Sequence, residues 1–177
     1  ARSSVTWWMW SCALPPVARV AGLKRGRDVQ ILEEVPADVL FGADYPYFSS
    51  FSEELLRHSR EHALGLISRR GLGPNSLVVE LASNDGYLLR NFVSAGVPCL
   101  GIEPTPGPAR AARAVGVPTM EEFFDEALAH RLVASGQLAD VVIANNVMAH
   151  VPGLNSFVAG IAVSLAEDGV ATIENPY

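Results

Sequence analysis

The sequence predicts an α/β fold, a parallel sheet with helices on both faces, preceded by a helical segment. Three observations predict it. From Leu77 to the end, short apolar stretches alternate with stretches of helical character. The apolar stretches are too uniformly hydrophobic to face water on either side, which is the signature of a parallel sheet. A turn, Gly71-Leu72-Gly73-Pro74-Asn75, separates this alternation from a helix that comes before it.

Residues 1–28 show neither clear periodicity nor a match to the rest of the chain, and no structure is assigned to them. Val5 to Leu14 is apolar and carries the three tryptophans behind Arg2. That has the outline of a secretory signal, but it is short and lacks a small-residue cleavage site, so a cytoplasmic protein is expected. Asp38 to Ser52 holds Phe41, Tyr45, Tyr47, Phe48 and Phe51 among small polar residues, which suggests an ordered loop packed on another surface. Ser52, Glu53 and Glu54 read as a helix start, a cap with acids in the first turn. Leu55, Leu56, Ala63, Leu66 and Ile67 keep a helical period as far as Arg69.

Strands are then expected at Leu77 to Ala82, Cys99 to Glu103, Val117 to Met120, Asp140 to Ala144 and Val170 to Glu174. Helices between them are expected at Tyr87 to Ser94, Pro108 to Val115, Asp125 to Ser135 and Leu154 to Leu165. Residues 29–76 are read as a loop and helix, and 77–177 as the ligand-binding α/β domain.

Composition narrows the function. With 49% hydrophobic and 18% charged residues the chain is globular. Its formal charge of −6 and its lack of a Lys/Arg run weigh against nucleic acid. No stretch reaches the length a membrane span needs. Cys12 and Cys99 have no metal-type spacing, so neither a disulfide framework nor zinc is suggested. His58 and His62 share a helix face with Glu61 between them, but no third ligand is found and a solvated face is expected; no metal is assigned.

In a sheet of this kind the ligand sits beyond the carboxyl ends of the strands, beside the first one. Glu80, Ala82, Ser83, Asn84, Asp85 and Gly86 stand there. They lack the G-x-G-x-x-G pattern, so the pyrophosphate cradle of a dinucleotide enzyme is missing. A tight turn with one glycine and acids at both ends suits a ligand with an amino group and a sulfonium charge better than one with phosphates. Glu103 ends the second strand, where a carboxylate accepts ribose hydroxyls. Asp85 has a second reading as a helix cap, compatible with the first.

Glu122 and Phe123 follow the third strand, where an edge acceptor and an aromatic face would bracket a purine; core packing by one Phe with the acid in solvent is the equal alternative. Asn145, Asn146 and His150 follow the fourth strand, where a transferred group and its acceptor should meet. A histidine there serves as a base, or hydrogen-bonds a substrate oxygen, or caps the turn before Pro152.

Taken together these residues resemble a known family. Tyr45-Pro46-Tyr47-Phe48-Ser49-Ser50, Glu80 to Leu89, Gly101-Ile102-Glu103-Pro104, Asn145 to Pro152 and Glu174-Asn175-Pro176-Tyr177 are similar to the sugar C-methyltransferases. These enzymes methylate a ring carbon of nucleotide-linked keto-deoxysugars, and the match runs from about Val29 to the end. The resemblance implies the class I methyltransferase (Rossmann-like) fold, S-adenosylmethionine as cofactor and a nucleotide-sugar as substrate. It implies that a base removes the proton beside a sugar ketone, and that the enolate carbon attacks the sulfonium methyl. By similarity Tyr45 and His150 touch the sugar, Tyr47 and Asn146 are further substrate contacts, and Glu80, Ala82, Asn84, Asp85, Gly86, Glu103, Glu122, Phe123 and Asn145 surround the cofactor. The resemblance thereby puts the loop and helix of residues 29–76 on the substrate side.

Three features depart from the family. Leu23 to Arg27 holds no cysteine where the family has a zinc module. Phe48 stands where the family often has Tyr and lacks a hydrogen-bond donor. The family's His/Glu/Tyr-rich segment lies beyond Glu-Asn-Pro-Tyr, so the sheet is expected to be truncated after the fifth strand and the chain to be a fragment. The Val170 to Glu174 edge is then expected to be apolar, unpaired and prone to association. A non-catalytic S-adenosylmethionine-binding fragment, or another small-molecule methyltransferase, are the alternatives.

Overall fold

The structure is a computed structural model and describes residues 20–22, 29–31, 41 and 46–175. The chain divides into two compact units, 1–36 and 37–177. In the first, β1 (Val20–Gly22) and β2 (Val29–Ile31) pair antiparallel, with Val20 opposite Ile31. β1 lies in the stretch to which the sequence assigns no structure, because three residues are too few for an alternation to register. Residues 29–36, grouped by the sequence with the segment after them, belong to this first unit.

The second unit opens with a short 3-10 turn, Ser49–Phe51, and helix α1 (Glu53–Arg70). Ser52 caps the helix, its hydroxyl accepting from the Leu55 N–H at 3.2 Å. Glu53 and Glu54 sit in the first turn and Arg69 and Arg70 in the last, matching the helix dipole at both ends. Gly71 ends it at φ 62°, a left-handed conformation that glycine adopts without a steric cost.

Five strands and four helices then alternate. They are β3 (Val78–Leu81), α2 (Leu89–Ser94), β4 (Cys99–Ile102), α3 (Pro106–Ala114), β5 (Thr119–Met120), α4 (Glu126–Ala134), β6 (Ala139–Asn145), α5 (Leu154–Ser164) and β7 (Leu165–Glu174). The sheet order is β5-β4-β3-β6-β7 and every pairing is parallel. β3 is central, with Val79 opposite Leu100 on one side and Val142 on the other. The chain reverses its direction of travel across the sheet at β3 and β6, which opens a crevice at their carboxyl ends.

Alternation along the central strands sends neighbours to opposite faces. Val78, Val141 and Ile143 pack with Ala63 and Leu66 of α1 and Leu89 and Phe92 of α2. Val79, Leu81 and Val142 pack on the other face with Leu128 and Leu132 of α4 and Phe157 and Ile161 of α5. Both faces are therefore covered, as the uniformly apolar strands require, and each such side chain contributes on the order of 1.5–3 kcal/mol by leaving water.

Small shifts from the expected boundaries have local causes. α3 starts at Pro106, ahead of the expected Pro108, since a proline in the first turn lacks only an N–H that had no helical partner. Tyr87 precedes α2 instead of opening it. β7 begins at Leu165, but its register jumps: Ala139 faces Leu165 and Val141 faces Val170. Residues 166–169 are taken up by this register shift, and a Cβ on Gly169 would stand 2.7 Å from the Ala139 carbonyl oxygen. Regular pairing thus starts at Val170, the expected strand start. β5 and β7 are the two outer strands, and Ile173 on β7 is 49% exposed. Among the described residues no helix is long and apolar enough to cross a membrane.

Candidate functional site

Beyond the carboxyl end of β3 the chain makes a turn that most residues resist. Ala82 (φ 56°) and Asn84 (φ 49°) both occupy the left-handed region, as does Gly86 (φ 76°). Asparagine tolerates this conformation, while alanine there carries strain, and such strain concentrates at ligand sites. Gly86 is required twice over: a Cβ would also meet Val117 Cγ2 at 3.0 Å and the Ala112 backbone at 3.3 Å. Gly101 on β4 makes room for the same turn, since a Cβ there would lie 2.3 Å from the Ser83 hydroxyl.

Glu103 follows β4 and is nearly fully buried. Its Oε2 accepts the Asn84 N–H at 2.8 Å, and its Oε1 accepts the Thr105 N–H at 2.9 Å together with the Thr105 hydroxyl. A carboxylate offers about four acceptor positions. Three are filled from within the chain, which fixes the orientation of the group and leaves room for one further donor.

Glu80, inside β3, is more deeply buried still. No donor among the described residues meets strict hydrogen-bond geometry at its carboxyl oxygens, and the Tyr87 hydroxyl is the group that interacts with them. Burial pushes its pKa well above the usual carboxylate range, the nearby charges of Glu103 and Asp85 add to this, and the Tyr87 hydroxyl opposes it. Tyr87 interacts with both Glu80 and the Asn145 side chain, and burial raises its phenol pKa further, helped by Glu80. Burial likewise lifts the Cys99 thiol to about 11, with the Glu80 charge adding to it, which keeps this free cysteine in its thiol form.

The opposite wall comes from the segment after β6. Asn146 (φ 54°) donates its N–H to the Glu174 carbonyl at 2.7 Å, and a 3-10 turn, Met148–His150, comes next. The exposed His150 ring meets the Phe41 ring edge-on at a centroid distance of 6.5 Å.

These pieces enclose a cavity of about 470 Å³. That volume falls in the range of small-molecule sites. Of the residues singled out from the sequence, Ala82, Asn84 and Glu103 line it on the β3–β4 side, Phe123 on the β5 side, and Asn145, Asn146 and His150 on the β6 side. Tyr47 reaches it from the segment before α1.

Others lie elsewhere. Glu80 and Asp85 are buried behind the lining, and Gly86 is packed against α3. Glu122 is not among the lining residues, and its carboxylate pairs with Arg131 of α4. Phe123 is half exposed on the lining, while Phe124 packs edge-on against Phe157 at 5.5 Å. Tyr45 lies outside the described residues.

His58 stands 3.7 Å from Glu174 on β7, and His62 is half-buried, its pKa lowered by desolvation and by the neighbouring His58 and Arg69. Among the described residues no group of His, Cys, Asp and Glu is arranged to hold a metal ion.

Sequence reasoning misses Ser49 and Tyr87 as cavity residues. Tyr87 reads as the opening residue of a helix, although a phenol directly after a Ser-Asn-Asp-Gly turn is itself a signal. Ser49 is part of the aromatic segment expected to pack on another surface, and that surface is the β3 turn.

No family model matches the chain. It is 32% identical over 143 residues to the C-methyltransferase NovU of Streptomyces niveus, covering 81% of this chain and 34% of that protein. The chain thus spans about a third of this relative's length. Among solved structures, DesVI of Streptomyces venezuelae superposes with a TM-score of 0.54 at 18% identity, over 82% of this chain and 59% of that one. A putative methyltransferase bound to the Trm112 activator of Haloferax volcanii gives 0.52 at 20% identity, over 71% and 54%. The magnesium protoporphyrin IX methyltransferase of Synechocystis, solved with bound SAM, gives 0.50 at 18% identity, over 62% and 54%. The strand order and these superpositions agree: the chain has the class I methyltransferase, Rossmann-like fold, and by sequence it is a relative of a C-methyltransferase.

Proposed function

We propose that this chain, a class I methyltransferase fold related in sequence to a C-methyltransferase, is the cofactor-binding part of an S-adenosylmethionine-dependent enzyme. In this reading it methylates a ring carbon of a nucleotide-linked keto-deoxysugar through an enolate. The observation that carries it is the cavity wall. A fixed buried carboxylate, Glu103, stands beside the strained Ala82–Asn84 turn, with Asn145, Asn146 and His150 facing them across the same space.

The residues fit the cofactor's parts. Glu103 keeps one acceptor position for a ribose hydroxyl, and Phe123 offers a face to a purine. The Glu80 carboxyl, buried beside the Tyr87 hydroxyl, supplies acid character beneath the turn on the side where an amino group would lie. When bound, S-adenosylmethionine supplies an electrophilic methyl group.

The chain's own contribution is placement and proton control. The apolar side chains of Ile102, Val147 and Phe157 help keep water from the reacting centre. His150 brings an imidazole, able to accept or donate a proton, to the cavity lining. At the mouth of the cavity its imidazole takes the proton beside the sugar ketone or hydrogen-bonds the enolate oxygen. Tyr47, and Tyr45 on the basis of the family resemblance, complete the sugar side.

Calorimetry with S-adenosylmethionine tests the cofactor claim; binding in the micromolar range is expected, and no binding with parent-like behaviour of Glu103→Ala sinks it for this chain. Methyl transfer from S-adenosylmethionine to a nucleotide-linked keto-deoxysugar tests the substrate claim. Transfer to some other acceptor class, with none to the sugar, would reassign it to another small-molecule methyltransferase.

A further inference from the structure

We propose that Asn84 is a positioning residue for the substrate side of the cavity, clamping the Tyr47–Ser50 segment, and that occupancy of Glu103 is transmitted to this segment through it. The sequence places Asn84 among cofactor contacts, but its side chain is already committed. Its Oδ1 accepts the Ser49 N–H at 2.9 Å, and its Nδ2 donates to the Tyr47 carbonyl at 3.2 Å. One amide therefore offers a donor and an acceptor to a backbone some 35 residues away, as a neighbouring strand would. The next residue adds a third bond: Asp85 Oδ2 accepts the Ser50 N–H at 3.1 Å.

Both clamp residues are buried, at 8% and 5% exposure, so the bonds form away from competing water. The segment's own regular structure is the single 3-10 turn Ser49–Phe51, and Tyr47 and Ser49 are both cavity wall. Its placement accordingly depends on bonds from outside itself. Asn84 also donates its main-chain N–H to Glu103 Oε2 at 2.8 Å. A single residue thus links the carboxylate on the cofactor side to the wall on the substrate side. A ligand hydroxyl on Glu103 fixes that carboxylate and with it the Asn84 peptide, which tightens the clamp. The clamp stands on geometry alone; its coupling to the cofactor rests on the functional reading above, and the two are separable.

Site-resolved amide hydrogen exchange on the 177-residue chain tests this. Asn84→Gly is the main variant, because glycine takes φ 49° without strain. Asn84→Asp is the second, because it keeps an acceptor for Ser49 but turns an oxygen toward the Tyr47 carbonyl. In Asn84→Gly the Ser49 amide should exchange faster by about tenfold or more, with Val79 and Val142 unchanged. Asn84→Asp should protect Ser49 better than glycine does. Added S-adenosylmethionine should slow exchange at Ser49 and Ser50 in the parent and not in Asn84→Gly.

Equal Ser49 rates in parent and Asn84→Gly overturn the clamp. Acceleration of Val79 and Val142 to the same degree as Ser49 also overturns it, by making Asn84 a general fold residue. Cofactor binding with no added protection of Ser49 and Ser50 overturns the coupling. A Ser49 contrast in a chain that binds no S-adenosylmethionine supports the clamp and refutes the functional reading instead.

Discussion

Thr105 donates both its main-chain N–H, at 2.9 Å, and its hydroxyl to the same oxygen of Glu103. The two residues thereby fasten the end of β4 to the start of α3 and set the carboxylate's orientation before any ligand arrives. A preset group costs less ordering on binding, which favours affinity.

Glu103→Ala should consequently do two things. It leaves the buried N–H groups of Asn84 and Thr105 without acceptors, at about 1–3 kcal/mol for each that finds no substitute. It also removes the ribose acceptor. Urea unfolding should show a lowered midpoint, and calorimetry a loss of S-adenosylmethionine affinity of about tenfold or more. Glu103→Gln keeps the shape and one acceptor oxygen but sets its NH2 against a buried donor on the other side, so it should recover only part of the stability and of the affinity.

Glu80 predicts a pH dependence. Its folded pKa is raised above its unfolded value, chiefly by burial. The folded chain therefore holds a proton that the unfolded chain releases as pH rises past about 4.3. The resulting stability is complete below that point and declines upward toward the raised folded value. Chemical denaturation from mildly acid to neutral pH should reveal this decline, and Glu80→Gln should flatten it. A parent curve that rises over the same window would refute the assignment.

His150 should matter for chemistry and little for the fold, since its side chain is exposed and Phe41 is its aromatic neighbour. His150→Gln should lower the rate of methyl transfer by about 10²–10⁴-fold. S-adenosylmethionine affinity and the unfolding midpoint should stay close to the parent's. A matching fall in cofactor affinity would reassign the residue to the cofactor side.

The β7 edge predicts association. Ile173 is half exposed on an outer strand of the sheet. Sedimentation velocity on the 177-residue chain should show species that grow with concentration. Ile173→Lys should reduce them, because a charge on an edge strand opposes pairing with another edge. Monodisperse behaviour of the parent at high concentration would count against it.

The central strands were legible because they are short, mostly apolar runs buried on both faces, broken only by Glu80 in β3 and by Asp140 and Asn145 in β6. Glu103, Asn145, Asn146 and His150 could be placed at the cavity from the sequence because they stand at or soon after the carboxyl ends of such strands. What escaped depends on contacts distant in sequence. Glu122 is diverted by Arg131, a residue on the next helix. Asn84 gives its amide to Tyr47 and Ser49, which no spacing within its own turn could suggest. The β1–β2 hairpin escaped because its strands are short and adjoin residues of no clear pattern.

Gly101 and Ser83 carry a consequence for how such a site changes over generations. The space that a methyl group on Gly101 would need is held by the Ser83 side chain, so neither position is free to vary alone toward larger residues. The turn's sequence and that of the neighbouring strand are a single heritable unit. Recombination that grafts a foreign turn onto this sheet should succeed only when its break points carry both positions across together.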